Sequence, residues 1–429
     1  MADRRVEVFV QVDGDDLRVG ELWSHRRRNR ESATFAYSPE YLGHPAAFEL
    51  DPTLPLRDGL QQTPTGREIF AAFGDCAPDR WGRVLIGRAE RRRAKAQDQT
   101  RRSLGEIDYL LGARDDMRQG ALRFRDPETE TFLAREDEGV PALIGLPRLL
   151  ASAERVDKEE EDDEDLRALL KGGSSLGGAR PKTHVIDESG RPAIAKLPKP
   201  SSDQWEVIRW EAVALQLARL AGIEVPASRL IEVSGRGVLI IDRFDRRGDR
   251  RVPYVSAMTM LEATDGDSGS YLEIAEVVET HSPAATADLA RLWRRIAFSI
   301  LISNTDDHLR NHGFLRLSSA GWSLSPAFDL NPEPELGPRH LKTAIDFDET
   351  EARIEVLLDV APEFRLDEKT TRDVLREVGR ATSNWRQVAK SQGLQPAAIE
   401  EMAPAFEHEE SRAVAALHAN PPPSRRSAS

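Results

Sequence analysis

Residues 287–303 place Leu289, Leu292, Trp293, Ile296, Ala297, Ile300 and Leu301 on one face at helical spacing, the pattern of a helix buried in a core. Residues 205–221 repeat it with Val207, Trp210, Ala214, Leu217 and Leu220 or Ala221, and Gly222 stands where a helix ends. Elsewhere the period falls to two. Residues 6–12, 19–23 and 33–37 alternate as strands, the first two joined through Asp13-Gly14-Asp15-Asp16. Residues 183–187 and 192–198 read as a further pair turned by Glu188-Ser189-Gly190. Residues 230–233 and 238–245 read as a hairpin across Ser234-Gly235-Arg236-Gly237. A helix with arginines on its outer face is expected over residues 78–96. The expected fold class is α+β.

The polar residues between the elements fall in an order with a chemical meaning. The helix of residues 287–303 runs into Asn304-Thr305-Asp306-Asp307-His308-Leu309-Arg310-Asn311, with four residues between Asp306 and Asn311. Phe328-Asp329 follows after a hairpin-sized gap. Phosphoryl transfer from ATP uses a carboxylate to orient the attacking hydroxyl, a carboxamide oxygen on Mg²⁺, and a second carboxylate to hold metal against the phosphates. Protein kinases carry the three in this order and spacing. Upstream, residues 171–182 are rich in glycine and serine, which lets backbone N–H groups approach phosphate oxygens. The Gly-Lys pair of a Walker A loop is missing, and a strand follows where that motif needs a helix. Lys196 arrives later, on a strand of its own, as a point charge. Glu211, on the helix of residues 205–221, is placed to pair with Lys196. The strand of residues 238–245 supplies a floor for adenine.

Plainer readings stand beside these. His308 and His312 have the spacing of a zinc pair on a helix, without the glutamate that a zinc protease motif carries. Asp306 could form a loop turn, Glu211 a solvated helix surface, and Ser175 a small loop donor. Asp307 reads as a residue that hydrogen-bonds its own loop and is left out of the catalytic set.

With these residues on view, the chain resembles the HipA-type serine/threonine kinase toxins of type II toxin–antitoxin systems. Five stretches carry the resemblance over nearly the whole length: residues 73–83, residues 120–124, Ser174-Ser175-Leu176-Gly177-Gly178-Ala179-Arg180-Pro181-Lys182, Asp242-Arg243-Phe244-Asp245-Arg246, and residues 304–311 with Ser325-Pro326-Ala327-Phe328-Asp329. The resemblance implies a two-lobed protein-kinase-like core, with a mixed N-lobe sheet and a helical C-lobe, behind an N-terminal α/β subdomain. It implies Asp306 as catalytic base and Asn311 and Asp329 as Mg²⁺ ligands. Around ATP it places Gly177, Gly178, Ala179, Arg180, Pro181 and Lys182 over the phosphates, together with Lys196, Asp242, Arg243, Phe244, His308, Asn311, Phe328 and Asp329. Some relatives carry glutamate at the hinge, where Asp242 is one methylene shorter. Ser175, with Ser174 beside it, falls where the family carries an autophosphorylated serine that silences the kinase. The implied partners are a HipB-type helix-turn-helix antitoxin, with DNA reached only through it, and a protein substrate from translation, an aminoacyl-tRNA synthetase such as glutamyl-tRNA synthetase.

Composition narrows the setting. The 429 residues are 39% hydrophobic and 31% charged, enough for two or three cores. A net charge of −13 speaks against bulk nucleic-acid binding by this chain alone. The single cysteine, Cys76, excludes an intrachain disulfide framework and fits a reducing cytoplasm. Neither a signal peptide nor an apolar run of roughly 20 residues is present, so no membrane role is expected. The expected organisation is an N-terminal subdomain over residues 1–150 and an acidic connector over 151–170. A kinase N-lobe over 171–250 and a helical C-lobe over 251–415 follow, then a disordered tail over 416–429. The acidic run at residues 158–165 is expected to be solvated and mobile, with a contact to the basic loop at residues 246–251 as the alternative. Two other functions stay open: a pseudo-kinase scaffold that acts as co-repressor with the antitoxin, and a metal-dependent hydrolase built on Asp306, Asp307 and His308.

Overall fold

The computed structural model describes residues 4–27, 30–134, 140–173 and 180–419. Ser174, Ser175, Gly177, Gly178 and Ala179 lie outside the described residues, as does most of the expected tail. The fold is α+β, and the chain divides into two compact units. One takes in the chain up to Gln204 together with Pro226–Asp265 and His312–Ser325. The other holds Trp205–Val225, Gly266–Asn311 and the chain from Pro326 onward.

The first unit carries the sheets. β1 (Arg4–Val12), β2 (Asp15–Arg27), β3 (Arg30–Tyr37), β4 (Gln61–Gln62) and β5 (Leu122–Arg125) form an antiparallel sheet in the order β4-β3-β2-β1-β5. Its core is aromatic: Phe35, Phe70, Phe73 and Phe124 meet edge to face at centroid distances of 5.6 to 6.4 Å. A second antiparallel sheet follows from β6 (Lys182–Ile186), β7 (Pro192–Lys196), β8 (Ser228–Val233) and β9 (Arg236–Asp242), in the order β6-β7-β9-β8. Alternation decides its faces. Ala193 and Ala195 of β7 and Val238 and Ile240 of β9 pack with Leu149, Val156, Leu166 and Leu169. Lys196 and Ile194, one step out of phase, take the opposite face and are half-buried. The expected hairpin is present, although its second strand stops at Asp242.

The acidic run is largely exposed, as expected, but it is partly helical. A helix over Leu146–Asp157 precedes it, and a second over Asp163–Lys171 begins inside it. Asp162 caps that second helix, accepting the Asp165 N–H at 2.9 Å while Asp165 accepts the Asp162 N–H at 3.1 Å. Asp165 is 1% exposed and also accepts from Ser152 Oγ at 2.8 Å. The Arg155 guanidinium beside it holds its carboxyl well below the usual carboxylate range. Glu161 and Asp163 pair with Arg88 and Arg92, at 2.6 and 3.2 Å, on the arginine-rich helix Arg80–Ala96. Glu161 and Asp163 therefore meet arginines of that helix, while Glu159, Glu160, Asp162, Asp163 and Glu164 stay exposed, as a solvated run would be.

The second unit is mostly helical. Its central helix, Ala285–Leu301, buries Leu289, Leu292, Trp293, Ile296, Ala297, Ile300 and Leu301, the face read from the sequence. Trp293 also donates its Nε1–H to the Leu357 carbonyl at 3.1 Å. The helix Val207–Leu220 contributes Trp210 to a cluster with Trp385 and Phe406, the latter two stacked at 4.7 Å. No helix among the described residues is long and apolar enough to cross a membrane.

Candidate active site

The central helix of the second unit ends at Leu301, and the loop that follows is held from several directions. Asp307 is 4% exposed; its carboxylate accepts from Tyr271 Oη at 2.6 Å and from Ser299 Oγ at 3.2 Å. Thr343 Oγ1 donates to the Asp307 carbonyl at 2.7 Å, and the Lys342 N–H donates to the Thr305 carbonyl at 3.0 Å. Burial and the Asp307 charge push the Tyr271 phenol well above its ordinary value, so it stays a hydrogen-bond donor. Asp306, one residue earlier, is exposed. Two adjacent carboxylates thus divide the work: the buried one pins the loop and the exposed one is presented.

Asn311 is 8% exposed, and its Nδ2–H donates to the Asp306 carbonyl at 3.3 Å. With the nitrogen so used, the carboxamide offers Oδ1 as its acceptor. His308 is half-buried, and its backbone N–H donates to the Asp306 carbonyl at 3.0 Å. Asp329 sits at φ 57°, in the left-handed region that L side chains rarely adopt, with Phe328 half-buried before it. Asn331 Nδ2 donates to the Asp329 carbonyl at 3.2 Å and to its Oδ1 at 3.4 Å. Asp306, His308, Asn311, Phe328 and Asp329 therefore all belong to the second unit. Asn311 and Asp329 each carry a hard oxygen, one carboxamide and one carboxylate, the donor chemistry that suits Mg²⁺.

The remaining sequence-predicted residues that the structure describes belong to the first unit, Glu211 excepted. Lys196 stands directly across the ladder from Lys182. Lys182 is buried, and its ammonium lies 2.8 Å from the Asp79 carboxylate, which gives it a structural partner. Pro181 accepts the Leu197 N–H at 2.9 Å and so continues the ladder, while Arg180 is exposed and pairs with Asp203 at 3.1 Å. Asp242 is half-buried, 3.6 Å from the Arg191 guanidinium. Phe244 packs on Tyr254 at 6.2 Å. Glu211 is 2% exposed on the helix Val207–Leu220, in the second unit, so burial replaces the solvated surface reading.

Arg243, expected on the adenine side, turns its side chain into the interior. Its side chain is fully buried; it donates to Asp245 Oδ1 at 2.8 Å, to Asp245 Oδ2 at 2.5 Å, to the Met117 carbonyl at 2.7 Å and to the Arg118 carbonyl at 3.0 Å. Asp245 also accepts the Gly120 N–H at 2.8 Å and Arg246 Nη1 at 3.0 Å. Burial alone would raise the Asp245 carboxyl, yet Arg243 and Arg246 hold it well below the usual range. Arg243 Nη1 lies 3.0 Å from His184 Nε2, and His184 Nδ1 lies 2.8 Å from the Gly172 carbonyl. The Arg243 neighbour sets the tautomer: Nδ1 donates to Gly172 and Nε2 accepts. Burial first, then Arg243, lowers this imidazole to about 3. Gly172 roots the glycine-rich loop, and a Cβ there would sit 1.7 Å from Thr183 Oγ1. Two resemblance stretches, residues 120–124 and residues 242–246, thus meet in one buried polar hub. Reading along the chain missed it, as it missed Asn331.

A sheet-bearing unit with a lysine strand, and a helical unit with a pinned Asp-x-x-x-x-Asn loop and a downstream aspartate, define a protein-kinase-like fold. The HipA-like C-terminal domain model matches residues 174–385 and the HipA N-terminal domain model matches residues 10–107. The chain belongs to the HipA family. It is 31% identical over 229 residues to a putative kinase of Sinorhizobium fredii, covering 49% of this chain and 55% of that protein. A putative kinase of Haemophilus influenzae is 26% identical over 188 residues, covering 38% and 55%. The chain thus spans about half the length of the curated relatives it matches. Among solved structures, HipA of Shewanella oneidensis MR-1, from a complex with HipB and operator DNA, superposes with a TM-score of 0.59 at 16% identity, over 96% of each chain, which shows a shared fold.

Proposed function

We propose that this chain is an ATP- and Mg²⁺-dependent serine/threonine protein kinase, the toxin of a type II toxin–antitoxin module. The observation that carries the reading is the exposed Asp306 carboxylate, set beside the buried, doubly hydrogen-bonded Asp307 on a loop that also bears Asn311. In this reading Asp306 orients the acceptor hydroxyl and takes its proton. Rigid mounting through Asp307 supports catalysis by positioning, which phosphoryl transfer mainly requires. Asn311 Oδ1 and the Asp329 carboxylate would hold Mg²⁺, which neutralises charge on the phosphates when bound. Lys196 would meet the phosphates from the half-buried face of β7, with Glu211 as its ion-pair partner. Gly177, Gly178 and Ala179 would cover them, and Ser175 or Ser174 would be the silencing phosphosite. The substrate would be a translation protein of the aminoacyl-tRNA synthetase class.

The HipB and operator DNA that accompany the Shewanella protein favour a second role that can coexist: co-repressor with a helix-turn-helix antitoxin. The test is incubation of unphosphorylated chain and its Asp306→Ala variant with γ-labelled ATP and Mg²⁺, followed by phosphosite mapping. Label on Ser175 or Ser174 in the wild type alone is the expected result. No label on a chain that still binds ATP would leave the scaffold role.

A further inference from the structure

Asn331 lies two residues beyond Asp329, and its two nitrogens face different ways. The side-chain Nδ2 donates to the Asp329 carbonyl at 3.2 Å and to Asp329 Oδ1 at 3.4 Å. Its backbone N–H donates to Asn304 Oδ1 at 2.9 Å. Asn304 is 1% exposed and opens the loop that carries Asp306 and Asn311. The Asn304 Nδ2 in turn donates to Ser299 Oγ at 3.3 Å, and that hydroxyl donates to Asp307 at 3.2 Å. A continuous chain of hydrogen bonds therefore runs from the Tyr271–Asp307 anchor through Ser299, Asn304 and Asn331 to Asp329. A neighbouring tie reinforces it: Thr305 Oγ1 donates to Glu333, whose own N–H donates to the Ser303 carbonyl at 3.1 Å.

Asp329 needs such a hold. A non-glycine residue at φ 57° occupies a sparsely populated backbone state that persists only when its surroundings impose it. Such strain concentrates where a side chain must be aimed. The carboxamide of Asn331 grips this residue at both its carbonyl and its carboxylate.

We propose that Asn331 is a positioning residue for the Asp329 carboxylate, locking its left-handed backbone and coupling it through Asn304 to the loop that bears Asp306 and Asn311. This rests on the reading of Asp329 as a Mg²⁺ ligand. Groups that orient a metal ligand from behind typically cost ten- to a hundredfold in metal affinity when removed. Every residue except proline supplies the N–H that Asn304 accepts, so Asn331→Ala removes the grip on Asp329 and spares the tie to Asn304.

The experiment is a Mg²⁺ titration of fluorescent ATP-analogue binding, and of phosphate transfer, for wild type, Asn331→Ala, Asp329→Ala and Asp306→Ala, with melting curves recorded in EDTA. For Asn331→Ala the expected result is an about tenfold rise in the Mg²⁺ needed for half-maximal binding. Transfer should recover at high Mg²⁺, and the metal-free melting curve should be nearly unchanged. Asp306→Ala should bind normally and not be rescued by metal. A wild-type Mg²⁺ dependence in Asn331→Ala, beside a shifted one in Asp329→Ala, overturns the role of Asn331 and leaves the kinase reading standing. Metal-independent binding in wild type and Asp329→Ala alike overturns both. Should Asn331→Ala fail to fold, Asn331→Ser, too short to grip Asp329 in the same way, carries the same expectation.

Discussion

Asp245 and Asp307 are carboxylates buried almost to the same degree, 3% and 4% exposed, in different units of the chain. Asp245 is gripped by the guanidiniums of Arg243 and Arg246 and by the Gly120 N–H. Asp307 accepts from two hydroxyls, those of Tyr271 and Ser299. The first region balances charge against charge and joins segments far apart in sequence. The second holds one short loop through those hydroxyls, with the charge of the buried Arg295 guanidinium also felt by the carboxylate. A salt-bridged hub fails when one member is removed, because uncompensated charge stays behind in a dry interior. A hydroxyl-pinned loop degrades in smaller steps, one hydrogen bond at a time.

Asp245→Ala should bring the largest loss, about 3–5 kcal/mol of stability, read as a fall in the denaturant midpoint. A loss below about 1 kcal/mol would mean that the arginines find other partners, and the contrast with Asp307 would collapse. Asp306→Ala comes next, in rate and not in stability: phosphate transfer should drop at least about 100-fold, while the exposed position keeps the stability change within about 0.5 kcal/mol. Tyr271→Phe should be milder, near 1.5 kcal/mol, because one donor to a charged acceptor is lost and Ser299 remains. Equal losses in Tyr271→Phe and Asp245→Ala would erase the proposed difference.

The hub also predicts a pH slope. His184 is neutral in the folded chain down to about 3, whereas the unfolded chain protonates its histidines near 6.5. Between those values the unfolded state binds the extra proton, so stability falls as pH drops from 6.5 toward 3. His408, lowered to about 4 chiefly by burial, acts in the same direction. Replacing His184 with Asn should flatten the slope between pH 6.5 and 5 relative to wild type, measured by urea unfolding. An unchanged slope would show that the imidazole does not stay neutral behind Arg243.

The two regions also differ in how far the sequence disclosed them. The loop was readable because its members are close neighbours: Asp306, Asn311 and the apolar face of the preceding helix sit within one window. The hub was not, since its bonds span up to 130 residues and many end on backbone carbonyls, which leave no mark on residue identity. Arg243 shows the cost, because its motif position gave no hint of side-chain bonds to Asp245 and Met117. The acidic run held a signal that was passed over. Asp162 and Asp165 stand at capping-box spacing ahead of Leu166 and Leu169, a helix start hidden within a charge block. Asn331 had no such cue, since its role depends on the left-handed turn at Asp329.

Cys76 lies at the end of the short helix Ala71–Asp75, 3% exposed, its thiol donating to the Phe73 carbonyl at 3.2 Å and pushed by burial up to about 12. Thiolate is the species that alkylating reagents capture, and here it is both scarce and shielded. A maleimide dye at neutral pH should therefore pass over the native chain. Any cysteine newly placed on the surface would take up label alone, so paired fluorophores can be installed with the natural thiol left in place, and the distance between the two units can be followed in solution as nucleotide is added.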